Sequence, residues 1–449
     1  MMLGFTCKCD FDGTTMSFGT CLIPPPSVSG IRTVSTRTWF LGGKRTPAMQ
    51  GKTYAEQIGT TRRRRACEQT ALLHRSDSLA DLKEPLSPRE ALSHVTTEVF
   101  LVFRLAIKLW SYLGLGWRWL WNFCRLFLYA TILSPGFLQM VYYYFFSGQV
   151  SRSIPYGRKP RNRLDLYTPS TQLAKGASWP VVIFITGGAW TIGYKAWGSL
   201  LGRRLSEMGV MVVSLDYRNF PQGSALDMLE DVNTGISWVL RHIDEYDGDV
   251  RNVHLVGQSA GGHLAALSLL TQVQRRVFGS SKLGVGRDWD PLDLQSFIGV
   301  SGAYCLESLS EHLHSRGLYK SLFEQIMMID GEVSLQTLSP LNIAQKLRGF
   351  LRGQLPEILL LHGKADRTVP CNSSMEFAQI LQESSVQCSC KIYIGKSHTE
   401  PLVEDPMRGG RDHLMEDVLE KVLRHTVSME VKPLVPGFLV DAASKICPF

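Results

Sequence analysis

Residues Val253 to Leu267 read V-H-L-V-G-Q-S-A-G-G-H-L-A-A-L, and their reading decides the architecture. The short apolar run ending in Gly257 has the character of a strand, and Ala260 to Leu270 that of a helix, so Ser259 falls on the tight turn between them. Gly257 and Gly261 flank it at the spacing G-x-S-x-G. A serine on such a turn is strained, and its neighbours pack too tightly on strand and helix to leave room for a β-carbon. The hydroxyl then stands exposed at the end of the strand, before a helix N-terminus that favours negative charge. Out of context the string is common; between a strand-like run and a small-residue helix it reads as a nucleophile elbow.

Around this turn, apolar runs alternate with amphipathic stretches. Strands are expected at Arg161 to Tyr167, Val181 to Thr186, Val210 to Leu215, Val253 to Val256, Phe297 to Val300, Ile358 to His362 and Lys391 to Ile394. Helices are expected at Gly198 to Glu207, Leu226 to Ile243, Ala260 to Gln272, Ser373 to Gln382 and Leu414 to His425. That alternation is the pattern of a mostly parallel sheet covered on both faces by helices. The Val181 strand ends in Thr186-Gly187-Gly188-Ala189-Trp190. Adjacent glycines let backbone N–H groups approach a substrate oxygen, as an oxyanion hole requires, and the Ala260 N–H would complete it. Two glycines serving only a tight strand-to-loop turn are the alternative. After the elbow come Asp366, in H-G-K-A-D-R-T-V-P, and His398, in G-K-S-H-T, each in a loop behind an expected strand. Ser259, Asp366 and His398 thus follow the order nucleophile, acid, base of an α/β-hydrolase fold. His398 would take the Ser259 proton and later give it to the leaving group, while Asp366 holds the imidazole tautomer. Asp405 is the rival for the acid role. His254 belongs inside a strand, His263 on the elbow helix, and His362 at the strand end that positions Asp366.

The 449 residues, 44% of them hydrophobic, suffice for one large catalytic domain, residues 151–449, with appendages. The net charge of +8 comes without any nucleic-acid-binding signature, so no nucleic-acid partner is expected and the charge is assigned to the N-terminal third and membrane proximity. Ten scattered cysteines, with C-x-C pairs at Cys7/Cys9 and Cys388/Cys390 but no histidine or second pair at zinc spacing, read as free thiols. No metal site and no organic cofactor are expected. Residues 1–95, rich in Ser, Thr, Gly and Arg in their first part, read as a disordered arm, with an organellar transit peptide as the alternative. Residues 96–150 combine Trp110, Trp117, Trp119 and Trp121 with Arg104, Lys108, Arg118 and Arg125, an interfacial pattern. Leu126 to Val150 carries no charge and is long enough to cross a bilayer, though Pro135-Gly136 interrupts it. Membrane association is expected, as a kinked span, a re-entrant hairpin or a lid; a buried helical pair of a soluble domain is the other reading.

On the stretches Val181 to Leu201, Asp216 to Gln222 (D-Y-R-N-F-P-Q), Gly257 to His263, His314 to Leu318 (H-S-R-G-L) and Asp405 to Gly410 (D-P-M-R-G-G), the chain from about Val99 onward resembles the plant isoprenylcysteine alpha-carbonyl methylesterases. The resemblance implies an α/β-hydrolase fold, preceded here by membrane-associated helices. It implies residence on endoplasmic-reticulum and Golgi membranes, and demethylation of prenylated cysteine methyl esters, whether small molecules or proteins. It carries over Ser259, Asp366 and His398 as the triad, and Gly187, Gly188, Ala189, Gln258 and Ala260 as oxyanion or substrate-contacting positions. Related lipases and esterases have H-G-G-G where this chain has Thr186-Gly187-Gly188-Ala189. The apolar stretch Leu434 to Val440 is expected to join the aromatic segment as anchor and prenyl-binding wall. A general carboxylesterase or arylformamidase would use the same triad, and a ligand-binding receptor on a degenerate hydrolase fold would lack one of its members.

Overall fold

The computed structural model describes residues 117–447 apart from 172, 175, 282 and 317–319; the arm 1–95 and the part of the helical segment holding Arg104, Lys108 and Trp110 lie outside the described residues. Eight strands, β1 (Val150–Pro155), β2 (Arg163–Tyr167), β3 (Trp179–Ile185), β4 (Met211–Leu215), β5 (Gly248–Gln258), β6 (Ser296–Val300), β7 (Glu357–Gly363) and β8 (Cys388–Tyr393), form one sheet in the order β1-β2-β4-β3-β5-β6-β7-β8. β2 runs antiparallel to both β1 and β4, and every other pair is parallel. This is the strand order of an α/β-hydrolase.

Helices, numbered along the chain, are α1 (Trp117–Ile132), α2 (Ser134–Phe146), α3 (Ser199–Glu207), α4 (Ala225–His242), α5 (Ala260–Phe278), α6 (Asn372–Glu383), α7 (Glu404–Arg408), α8 (His413–Leu423) and α9 (Gly437–Ile446). Every residue of β4 and β6 is buried, which is why parallel strands read as unbroken apolar runs. Alternation still sorts the side chains. Val181, Ile183 and Ile185 of β3 pack under α4 and α5, whereas Val182 and Phe184 face α3 and α8. α4 starts where its sequence says it should: the Ser224 hydroxyl accepts from the Asp227 N–H and the Asp227 carboxylate accepts from the Ser224 N–H, satisfying two otherwise orphaned amides.

Two of the departures from the sequence expectation bear on the packing around the site. Short helices Leu306–Ser315, Lys320–Ile326, Leu335–Leu338 and Pro340–Lys346 fill the connection between β6 and β7, where no element was expected. The stretch Leu434 to Val440, expected as an apolar wall, turns Leu434, Val435 and Val440 into a core cluster shared with Tyr129, Leu133 and Met140 of the first helices. Phe438 alone of these large side chains remains strongly exposed.

The pair α1–α2 bends by 66° at Leu133, just before Pro135 in the first turn of α2. No single described helix is long and apolar enough to cross a membrane; the bent pair is, by length and composition. Its inner side belongs to the hydrolase. Gly136 sits so close to the C-terminal segment that a β-carbon there would lie 2.6 Å from Val435 Cγ2. The Tyr144 hydroxyl donates to Asp165 Oδ2 at 2.6 Å, and Lys195 Nζ lies 3.2 Å from Asp165 Oδ1, all of them buried. The Arg125 guanidinium donates to the carbonyls of Ile446 and Cys447 at 2.9 and 3.0 Å. The outer side is different: Trp121, Phe127, Leu138, Tyr142 and Phe146 are 61–73% exposed.

Candidate active site

Ser259 stands between β5 and α5 with φ 55° and ψ −119°, the strained turn its flanking glycines imply. A β-carbon on Gly261 would lie 2.0 Å from the Ile185 carbonyl oxygen, and one on Gly257 2.6 Å from the Gly261 carbonyl oxygen, so both positions admit only glycine. The Ser259 amide donates to the Val300 carbonyl at 2.9 Å, pinning the turn to β6.

The loops after β7 and β8 deliver the other two groups. His398 Nε2 lies 2.9 Å from Ser259 Oγ, and His398 Nδ1 lies 2.6 Å from Asp366 Oδ2. All three are buried. Asp366 Oδ1 accepts from the Thr368 and Val369 amides at 2.8 and 2.9 Å, which fixes the carboxylate plane. Burial pushes the Asp366 carboxyl up, but the imidazole of His398 and then that of His362 outweigh it and hold the group below the usual carboxylate range. His362 Nε2 is 3.2 Å from Asp366 Oδ2, while the Ser374 hydroxyl lies 2.7 Å from His362 Nδ1, so the strand-end histidine does brace the acid. Asp405 does not reach His398: its carboxylate pairs with Lys396 at 2.8 Å and lies 3.5 Å from Arg408. His254 contacts Ser296 and Asn252 inside the sheet, away from this line.

Opposite the elbow, the turn after β3 carries three successive positive φ angles, 127° at Gly188, 48° at Ala189 and 59° at Trp190. The Thr191 and Ile192 amides both donate to the Gly188 carbonyl at 2.9 Å. Among the described residues no acceptor takes the amide protons of Gly188, Ala189 or Ala260. Gln258 packs its side chain on Gly187, where a β-carbon would lie 2.2 Å from its Oε1. No three His, Cys, Asp or Glu side chains converge as metal ligands among the described residues. A serine hydroxyl bonded to a buried imidazole, itself oriented by an ionised carboxylate, can attack an ester carbonyl.

The family model described as BD-FAE matches residues 164–381. The isoprenylcysteine alpha-carbonyl methylesterase of Arabidopsis thaliana is 43% identical over 80% of this chain and 84% of that protein. A probable isoprenylcysteine alpha-carbonyl methylesterase of Oryza sativa subsp. japonica is 44% identical over 80% of this chain and 87% of its own length. This chain belongs to the isoprenylcysteine alpha-carbonyl methylesterase family. It is a serine carboxylic-ester hydrolase.

As a member of the isoprenylcysteine methylesterase family, the chain also holds contacts at the site that its sequence did not disclose. Trp190 Nε1 donates to His263 Nδ1 at 3.1 Å, and His263 Nε2 therefore carries the proton it gives to the Leu338 carbonyl at 2.9 Å. Burial lowers the His263 pKa to about 4, so the ring stays neutral and ties the turn after β3 to the elbow helix. In D-Y-R-N-F-P-Q, Asp216 pairs with Arg161 at 2.7 Å, and Arg161 and Asn219 both donate to the Gly193 carbonyl, at 2.7 and 2.5 Å. That carbonyl closes the loop that Gly188 opens. In D-P-M-R-G-G, the Pro406 carbonyl accepts from Arg204 Nη2 at 2.6 Å. Near H-S-R-G-L, of which residues 317–318 lie outside the described set, the His312 ring lies 2.8 Å from the Arg367 carbonyl on the acid loop.

Proposed function

We propose that the enzyme hydrolyses the alpha-carbonyl methyl ester of prenylated cysteine, farnesyl or geranylgeranyl, releasing methanol and a free carboxylate. What carries the reading is the unbroken line Ser259–His398–Asp366 in a chain whose relatives bear that substrate in their names. Ser259 Oγ attacks the ester carbonyl as His398 Nε2 takes its proton. The tetrahedral oxyanion is held by amides of the turn at Gly187, Gly188 and Ala189 together with that of Ala260. Asp366 stabilises the imidazolium without taking its proton. Collapse breaks the acyl–OCH₃ bond, and His398 returns the proton to the departing methoxide. Water then enters, gives its proton to His398, attacks the acyl-enzyme and frees the carboxylate and Ser259. Gln258, beside Gly187, shapes the acyl side.

The substrate's prenyl chain partitions into lipid at ~0.8 kcal/mol per CH₂, so the ester sits at an interface. The apolar outer side of α1–α2, with Trp121, Phe127, Leu138, Tyr142 and Phe146, supports docking on endoplasmic-reticulum and Golgi membranes to meet it. The deciding experiment compares hydrolysis of farnesylated, geranylgeranylated and unprenylated cysteine methyl esters by the full chain. A preference for the prenylated esters supports the substrate; equal rates on all three refute it and leave a general carboxylesterase.

A further inference from the structure

Behind His398 lies a buried acid that the mechanism above does not use. Glu404, at the start of α7, has no exposed surface, and its Oε1 accepts from the Thr399 hydroxyl at 2.8 Å. Thr399 is the residue after His398, and its carbonyl accepts the amides of Leu402 and Val403 at 3.1 and 3.0 Å, so its side chain and main chain together fix the turn on which the histidine rides. The wall behind comes from far along the chain. Tyr129 of α1 brings its hydroxyl beside the same carboxyl, and Cys447 Sγ, past the end of α9, lies 3.4 Å from Thr399 Oγ1. Among the described residues neither the Tyr129 hydroxyl nor Glu404 Oε2 has a hydrogen-bond partner, although both are buried. A carboxylate left half-satisfied in such a place is costly, whereas a neutral carboxyl there is tolerated.

We infer that Glu404, in its neutral form, is the positioning residue for His398: acting through Thr399, and backed by Tyr129, it fixes the loop that sets the Nε2-to-Ser259 distance. The inference rests on the reading of His398 as the base. The groups facing Glu404 are Tyr129 from α1, Thr399 and Glu400 from the histidine loop, and Cys447 beside Tyr129 and Thr399. None of them is a cation that would hold the carboxylate ionised. Burial, the largest influence, raises the Glu404 pKa to about 7, against the Thr399 hydrogen bond and the nearby Tyr129 hydroxyl, which lower it. Ionisation above that pH puts an unpaired charge behind the histidine turn and loosens it. A displacement of ~1 Å at the base is enough for a loss of up to ~10²-fold.

The test uses the full chain in detergent, a short p-nitrophenyl ester, and kcat and KM followed from pH 5.5 to 9. Thr399→Val, close in shape, and Glu404→Ala are expected to lose ~10-fold or more in kcat with KM within ~2-fold, as lost positioning requires. Glu404→Gln, which keeps the shape and cannot ionise, is expected to match wild type at pH 6 and to hold its kcat above pH 7, where wild type declines. A thermal melt of each variant identifies any that fails to fold, in which case Thr399→Val decides alone. Wild-type kcat in Thr399→Val, or a Glu404→Gln profile that superimposes on wild type, overturns the inference. Ser259→Ala in the same assay separates the two readings: activity there removes the proposed mechanism itself, while a dead Ser259→Ala beside an unaltered Thr399→Val removes only the role of Glu404.

Discussion

The elbow at Ser259 and the bent pair α1–α2 are both apolar stretches interrupted by glycine or proline, yet they use those residues in different ways. At the elbow Gly257 and Gly261 are each dictated by a backbone atom that a β-carbon would meet within 3 Å, the Ile185 carbonyl at Gly261 and the Gly261 carbonyl at Gly257. In the helix pair, among the described residues, the inner side meets the hydrolase and the outer side is open. Leu133, Met140 and Tyr144 are buried against the hydrolase, while Trp121, Phe127, Leu138, Tyr142 and Phe146 stay open. The elbow glycines are betrayed by their spacing around Ser259, G-x-S-x-G. Hydropathy records that a side chain avoids water, but not which partner covers it.

The comparison breaks most sharply at the nucleophile. Ser259→Ala is expected to lower turnover of a p-nitrophenyl ester by roughly 10⁶-fold while leaving the melting temperature near wild type, since the triad acts as a unit. Asp366→Asn should follow at ~10⁴-fold, because the amide favours the wrong imidazole tautomer. Asp405→Asn, which loses only the pairs to Lys396 and Arg408, should stay within a few-fold; the reverse ranking in steady-state kinetics would reassign the acid.

For the helix pair, a chain starting at Val150 loses the partners of Val435, Val440 and the Asp165–Lys195 pair. Each buried side chain removed from a core costs about 2–5 kcal/mol, so losing Tyr129, Leu133, Met140 and Tyr144 together exceeds much of a typical domain's stability of about 5–15 kcal/mol. Such a chain is expected to aggregate with short-ester activity gone. A monomeric, active product in size-exclusion chromatography would mean that the pair is only an appendage. The outer side should behave in the opposite way. Phe127→Ser with Leu138→Ser should reduce sedimentation with anionic phospholipid vesicles by ~10-fold or more, given about 1.5–3 kcal/mol per apolar side chain, and leave short-ester kcat unchanged. Unaltered vesicle binding would argue that this surface meets something other than lipid.

The smallest effect is in acid. Because the folded Asp366 carboxyl sits below its usual range, its contribution to stability is present above about pH 4, the ordinary value, and is lost as pH falls toward the lower folded value. Asp366→Asn should therefore show a shallower fall in melting temperature between pH 5 and pH 3 than wild type.

The reasons for what the sequence disclosed are visible in particular residues. β3 to β7 were legible because buried parallel strands are apolar runs rich in Val, Ile and Leu, whereas β8, a half-exposed edge strand reading C-S-C-K-I-Y, was expected only from Lys391; the triad was legible because its members follow strands in a fixed order. β1 was not: Ser151, Arg152 and Ser153 break any apolar alternation, the strand pairs on one side only, and its register shifts between Ser151 and Ile154. The helices between Leu306 and Lys346 are too short for periodicity to build up. Nothing in the sequence around Glu404 singled it out. Only the fold brings Tyr129 and Cys447 to it, and no local pattern encodes a contact between segments so far apart.

That distance also sets a timetable for making the protein. Arg125 and the Ile446 carbonyl it holds are 321 residues apart. At ~5–20 residues per second, α1 leaves the ribosome roughly 15–60 s before the segment that covers it exists. During that interval the side of the helix destined for the core is as open as its outer side. Until α9 is made, that side lacks the partners it has in the folded protein.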